Sequence, residues 1–75
     1  MALKKKPMSI GQFIRTTRLR KGILLIDFAK AALIARPTVY RFEKAKYIHE
    51  KHLVHIARAL GIKEAQLRKL NKPPS

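Results

Sequence analysis

IARPTVYRFEK, residues 34–44, sets a proline, a threonine, a tyrosine and two arginines around an apolar pair, Val39 and Phe42. Wound as a helix, it puts Val39, Phe42 and the methylenes of Glu43 on one side, at spacings of three and four. The other side carries Arg36, Pro37, Thr38, Tyr40 and Arg41. Guanidinium, hydroxyl and small apolar groups mixed on one face pack poorly, but they suit the donor, acceptor and methyl pattern of base edges.

The rest of the chain fits a polyanionic partner. Its 75 residues hold 18 Lys and Arg against 4 Asp and Glu, a formal charge of +14. That much self-repulsion opposes a small compact fold, and a polyanion relieves it. The plainer alternative is a basic protein with no specific partner. A hydrophobic content of 47% allows one small core and argues against full disorder. Cysteine is absent, so there is no disulfide framework and no thiolate metal site. No apolar run approaches the length of a bilayer span. Met1 to Pro7 has a charged start without a following apolar region, unlike a secretory signal. A cytoplasmic, nucleoid-associated protein is the expectation.

Outward from the quoted stretch, the chain is punctuated as five helices without a strand signal. Residues 1–7, MALKKKP, read as a mobile basic arm. In MSIGQFIRTTRLRKG, Ser9 and Gln12 have capping-box spacing, and Met8 and Phe13 take the two staple positions. Ile10, Phe13, Ile14 and Thr17 form an inward stripe, and Gly22 closes the helix after a basic turn. A second helix is expected from about Leu25 to Ala32, with Phe28, Ala29 and Ala32 inward and Asp27 in its first turn. The third opens at Pro37, where a missing amide costs little. After KAKYI, the spacing of Leu53, Ile56, Ala57 and Leu60 predicts a fourth helix that Gly61 ends. KEAQLRKL predicts a fifth. The domain is therefore placed at residues 8–70, and NKPPS, residues 71–75, is expected to be a disordered tail.

Three features together resemble the helix-turn-helix domain of the Cro and lambda-repressor family, also called the Xre family. They are Arg18 four residues before Gly22, the segment FAKAALIARPTVYRFE at 28–43, and LVHIARALGIKEAQL at 53–67. The resemblance implies a compact all-α, five-helix fold in which Arg18 and Glu43 form a partly buried ion pair. It implies that the third helix, about 36–44, enters the major groove with its N-terminal residues on base edges. Arg36, Pro37, Thr38, Tyr40 and Arg41 then become base-reading candidates. Arg41 is the first choice for a guanine, whose two acceptors match its fork. Lys44, Lys46 and Tyr47 fall where the family grips the phosphate backbone, and Lys4, Lys5, Lys6 and Arg15 are further phosphate candidates. The fifth helix commonly makes the family's dimer contact, which points to Leu67 and Leu70.

The chain also departs from the family pattern. Leu33 stands where the turn usually has Gly, and a left-handed leucine is costly, so the path of the turn there stays open. Leu24 and Leu25 replace a polar cap and a Gln, removing a contact to DNA. Ala45 replaces a Gly after the third helix.

Other functions fit the residues less well. His49, His52 and His55 recur every three residues, a spacing that spreads them over a wide helical arc rather than converging them on a metal. Ser9 is explained as a cap and Asp27 as a first-turn acid, so no nucleophile–base pair remains and an enzyme is not expected. Leu24 and Leu25 are local core on the simpler reading, and a patch for a protein partner on the other. Ile23 and Ile26 are expected to supply core. A membrane-surface helix leaves the cap signals unexplained. The resulting expectation is a sequence-specific double-stranded DNA-binding transcriptional regulator, a repressor rather than an activator, of bacterial, phage or mobile-element type. It would bind an inverted-repeat operator as a homodimer, without a cofactor. The alternative is an antitoxin or an architectural nucleoid protein.

Overall fold

The computed structural model describes residues 8–73, which form five helices. They are α1 (Ile10–Arg20), α2 (Leu25–Ala32), α3 (Arg36–Lys44), α4 (Glu50–Leu60) and α5 (Glu64–Leu70). The bounds follow from local chemistry. The Gln12 amide donates to Ser9 Oγ at 3.3 Å, and the Ser9 amide donates to Gln12 Oε1 at 3.1 Å, so α1 starts with two of its orphan donors satisfied. It ends where Gly22 takes φ 70° and the Ile23 amide turns back to the Arg18 carbonyl. His49 Nδ1 accepts from the Lys51 amide at 3.2 Å and opens α4.

Two helix ends are built alike. Helix α2 closes through Ala29-Lys30-Ala31-Ala32-Leu33-Ile34, and α4 through Ala57-Arg58-Ala59-Leu60-Gly61-Ile62. In each, the last residue's amide returns to the first alanine's carbonyl at 3.0 Å, and the residue before it is left-handed. Gly61 takes this conformation at φ 70°, ψ 34°. Leu33 takes it too, at φ 60°, ψ 42°. The path of the turn, open in the sequence, is thus the left-handed one. The left-handed turn is what lets Ile34 drop against the core, and that packing overrides the backbone preference of leucine.

One core joins all five helices. Ile10 and Ile14 from α1, Phe28, Ala29 and Ala32 from α2, and Val39 from α3 meet Leu53, Ile56, Ala57 and Leu60 from α4, with Ile48 and Leu67. Burying a side chain of the larger kind contributes about 1.5–3 kcal/mol before entropy is counted. Helices α2 and α4 lie along each other, α1 carries α3, and α5 folds back on α4.

Leu67 is 0% exposed. The expectation that it offers a dimer surface is corrected: its side chain is part of the core that holds α5 on α4, and Leu70 packs half-buried against the same core. Ile26, expected in the core, is exposed, because it lies on the outer side of α2. The tail is corrected as well. Asn71 is half-buried, its Oδ1 accepts from the Ile48 amide and its Nδ2 donates to the Ile48 carbonyl, both at 2.8 Å. A side-chain amide can satisfy both backbone groups of one residue, so the domain extends at least to Asn71.

Candidate nucleic-acid interface

Helix α3 lies on the outside of the fold with its inner side fixed. Val39 and Glu43 are buried, and Phe42 is half-buried against the core. Pro37, Tyr40, Arg41 and Lys44, spaced i, i+3, i+4 and i+7, form the outward stripe, and all four are exposed. Tyr40 is 58% exposed although it is a large aromatic residue. Arg36 is exposed at one flank of the stripe, and Thr38 is half-buried at the other. The only carboxylate of this helix, Glu43, points inward, so the outward face is cationic, hydroxylic and free of acid.

Three contacts hold the C-terminal half of α3. Gly11 is the closest: a Cβ built there would lie 2.5 Å from the Phe42 carbonyl oxygen and 2.7 Å from the Glu43 carbonyl carbon. Only glycine lets α1 approach that backbone, and its amide donates to the Ala45 carbonyl at 3.1 Å. The second is the Arg18–Glu43 pair. Arg18 Nε donates to Glu43 Oε2 at 2.7 Å and Nη2 to Oε1 at 3.4 Å, while Nη1 donates to the Ile23 carbonyl at 2.9 Å. Both side chains are nearly out of solvent. One guanidinium therefore joins α1, the segment entering α2, and α3, and no buried side-chain nitrogen or oxygen among the described residues is left without a partner. The third is the His52 ring, tilted at 53° to Phe42 with centroids 5.0 Å apart. Burial there lowers the pKa of His52 below the ordinary imidazole value, and the charges of Lys51, His49 and His55 lower it further.

The phosphate candidates among the described residues are all exposed. Lys44 ends the stripe, and Lys46 and Tyr47 follow it, exposed. Arg15, one turn beyond Gly11 on α1, is exposed beside a shallow depression lined by Met8, Gln12 and Thr16. Lys4, Lys5 and Lys6 lie outside the described residues. Most of the acid is neutralised elsewhere: Glu50 and Glu64 both meet Arg68, leaving Asp27 in the first turn of α2 as the one unpaired carboxylate among the described residues. Leu24 and Leu25 do not share a face. Leu25 packs half-buried against the core, whereas Leu24 is 65% exposed. No helix among the described residues is long and apolar enough to cross a membrane.

Sequence reasoning missed Gly11 and His52 as supports of α3. An isolated glycine inside a well-capped helix was the available signal for the first, since such a position usually has a packing reason. For His52 there was none, because its contact to Phe42 is tertiary.

A family model described as the Cro/C1-type HTH DNA-binding domain matches residues 3–73. The fold is similar to that of the clp gene regulator ClgR from C. glutamicum, with a TM-score of 0.72 and 22% identity over 85% of this chain and 88% of that one. It is also similar to SinR, a master regulator for biofilm formation solved in complex with DNA, with a TM-score of 0.70 and 24% identity over 79% of this chain and 97% of that one. No curated protein sequence matches the chain.

Proposed function

The chain belongs to the Cro/C1-type helix-turn-helix DNA-binding domains, and from that premise we propose that it is a sequence-specific transcriptional regulator that reads double-stranded DNA with α3 in the major groove. The observation that carries the reading is the acid-free outward stripe Pro37–Tyr40–Arg41–Lys44, on a helix whose other side is locked by Gly11, Arg18 and Glu43. A reading helix must be held rigidly, because bidentate recognition tolerates little misplacement. ClgR and SinR are both named as regulators, and SinR was solved with DNA, which supports the same role here.

In this reading Arg41 reaches the two acceptors of a guanine, and Arg36 takes a second guanine or a phosphate. Pro37 and the Thr38 methyl suit a thymine methyl, and the Tyr40 hydroxyl reaches a base or a phosphate. Lys44, Lys46, Tyr47 and Arg15 grip the backbone, joined by Lys4, Lys5 and Lys6. One module of this size reads few base pairs, so two copies on an inverted repeat supply the specificity. With Leu67 in the core, a second copy meets other residues. Occupying a promoter in this way represses by occlusion.

The test is selection from random duplexes at roughly 0.15 M salt, where the counterion contribution does not mask specificity. An enriched inverted repeat is expected. Arg41→Ala should weaken binding by about 1–3 kcal/mol and relax one position of the motif. Binding without any enriched motif, vanishing as salt rises, would refute a sequence reader.

A further inference from the structure

The fold explains the left-handed turn at Leu33 through the burial of Ile34, but it does not explain why the residue there is leucine. The turn requires a left-handed residue, and the matching turn at the end of α4 uses Gly61 for it. Leucine is disfavoured in that conformation because its Cβ crowds the following carbonyl. Packing does not compensate, since Leu33 is 74% exposed, the most exposed large apolar side chain among the described residues. A strained residue that gains nothing from the core points to a contact made outside it.

Its surroundings say with what. Leu33 lies between α2 and α3, three residues before Arg36, at the end of the reading helix opposite the one held by Gly11. Lys30 and Arg36, three residues to either side, are both exposed, and no acid lies between them. An apolar group flanked by two cations complements a duplex edge, where a methyl or deoxyribose surface lies between phosphates. Resting on the reading of α3 given above, we propose that Leu33 is a DNA-contacting, specificity-determining residue. Its side chain closes on an apolar patch of the duplex, a thymine methyl or the deoxyribose beside it, while Lys30 and Arg36 take the flanking phosphates.

The experiment compares the wild type with Leu33→Gly and Leu33→Asn, two residues that accept a left-handed turn. Asn also keeps much of the size of leucine. Each variant is melted without DNA and titrated with the selected duplex at several salt concentrations. Both variants should melt above the wild type, Leu33→Gly by roughly 4–8 °C. Both should bind the duplex more weakly, by roughly five- to thirtyfold. The slope of log K against log salt should not change, because no phosphate contact is lost. Uracil in place of each thymine then distinguishes the two apolar surfaces. A substitution that weakens the wild type and leaves Leu33→Gly unaffected identifies a methyl. Weakening by the protein substitutions without any uracil effect identifies the sugar.

Wild-type affinity and specificity in both variants would overturn the inference and turn attention to a protein partner for this side chain. Variants that melt at or below the wild type would overturn it as well, since leucine would then serve the fold. A wild type that selects no duplex would refute the reading of α3 itself, a failure distinct from either.

Discussion

Replacing Gly11 by alanine sets two effects of opposite sign against each other. Inside a helix, alanine is favoured over glycine by about 1 kcal/mol, so on propensity alone α1 would be stabilised. The new methyl, however, would lie 2.5 Å from the Phe42 carbonyl oxygen and 2.7 Å from the Glu43 carbonyl group. These are backbone atoms of a capped, packed helix, with no rotamer to swing aside, so α3 must retreat by about 1 Å to reach ordinary contact. Overpacking of this kind costs about 1–3 kcal/mol, here at the upper end. The same retreat lengthens the 3.1 Å bond from the Gly11 amide to the Ala45 carbonyl, worth a further 0.5–1.5 kcal/mol or so. The clash wins, with a net loss of about 2–3.5 kcal/mol and a Tm lowered by about 8–28 °C. Thermal and urea unfolding followed by circular dichroism measure both quantities. A Gly11→Ala protein melting at or above the wild type would refute the close seating of α3 on this glycine.

Two further predictions concern the other supports of α3. Glu43→Leu leaves the Arg18 guanidinium buried without its partner and should cost about 3–5 kcal/mol in urea unfolding. The double variant Arg18→Met/Glu43→Leu should recover much of that, and a double-variant loss equal to the sum of the Arg18→Met and Glu43→Leu losses would show that the pair is uncoupled. The second is a pH effect at His52, whose pKa in the fold is lowered from 6.5, first by burial and then by the charges of Lys51, His49 and His55. As pH falls below the unfolded value, the unfolded chain takes up this proton before the folded one does, so stability falls with pH. The His52 contribution is therefore complete above pH 6.5 and is lost as pH drops through its lower folded value. A series of melts from about pH 8 to pH 5 should show the loss, and His52→Gln should reduce it; an identical pH profile in the variant would contradict the assignment.

Helix ends were the most legible part of this molecule because their signals are local. Ser9 with Gln12, Gly22, Pro37 and Gly61 each mark an end whose hydrogen bonds involve near neighbours, and the expected bounds of α2 and α3 agree with the structure. What stayed hidden is what the chain decides over long separations. Asn71 reads as tail until the Ile48 backbone is set beside it. Leu67 and Leu70 have the same spacing whether they face α4 or solvent, so periodicity could not say that the first is core. At Leu33 the local cost of a left-handed leucine was legible but the path of the turn was not, because the burial of Ile34 required it. On the candidate site, residue types marked the outward face of α3, but the Arg18–Glu43 bond came from family likeness rather than from spacing.

The short connector after α3 is held at both of its ends by residues distant in sequence. The Ala45 carbonyl is tied to Gly11 in the first helix, and Ile48 is clasped on both backbone groups by Asn71, after the last. Tension on the chain beyond Asn71 would thus reach the C-terminal end of α3 through these bonds and the short connector, without passing along α5 and α4. A residue at the C-terminal side of the fold is thereby coupled to the end of α3 by a path shorter than the chain itself.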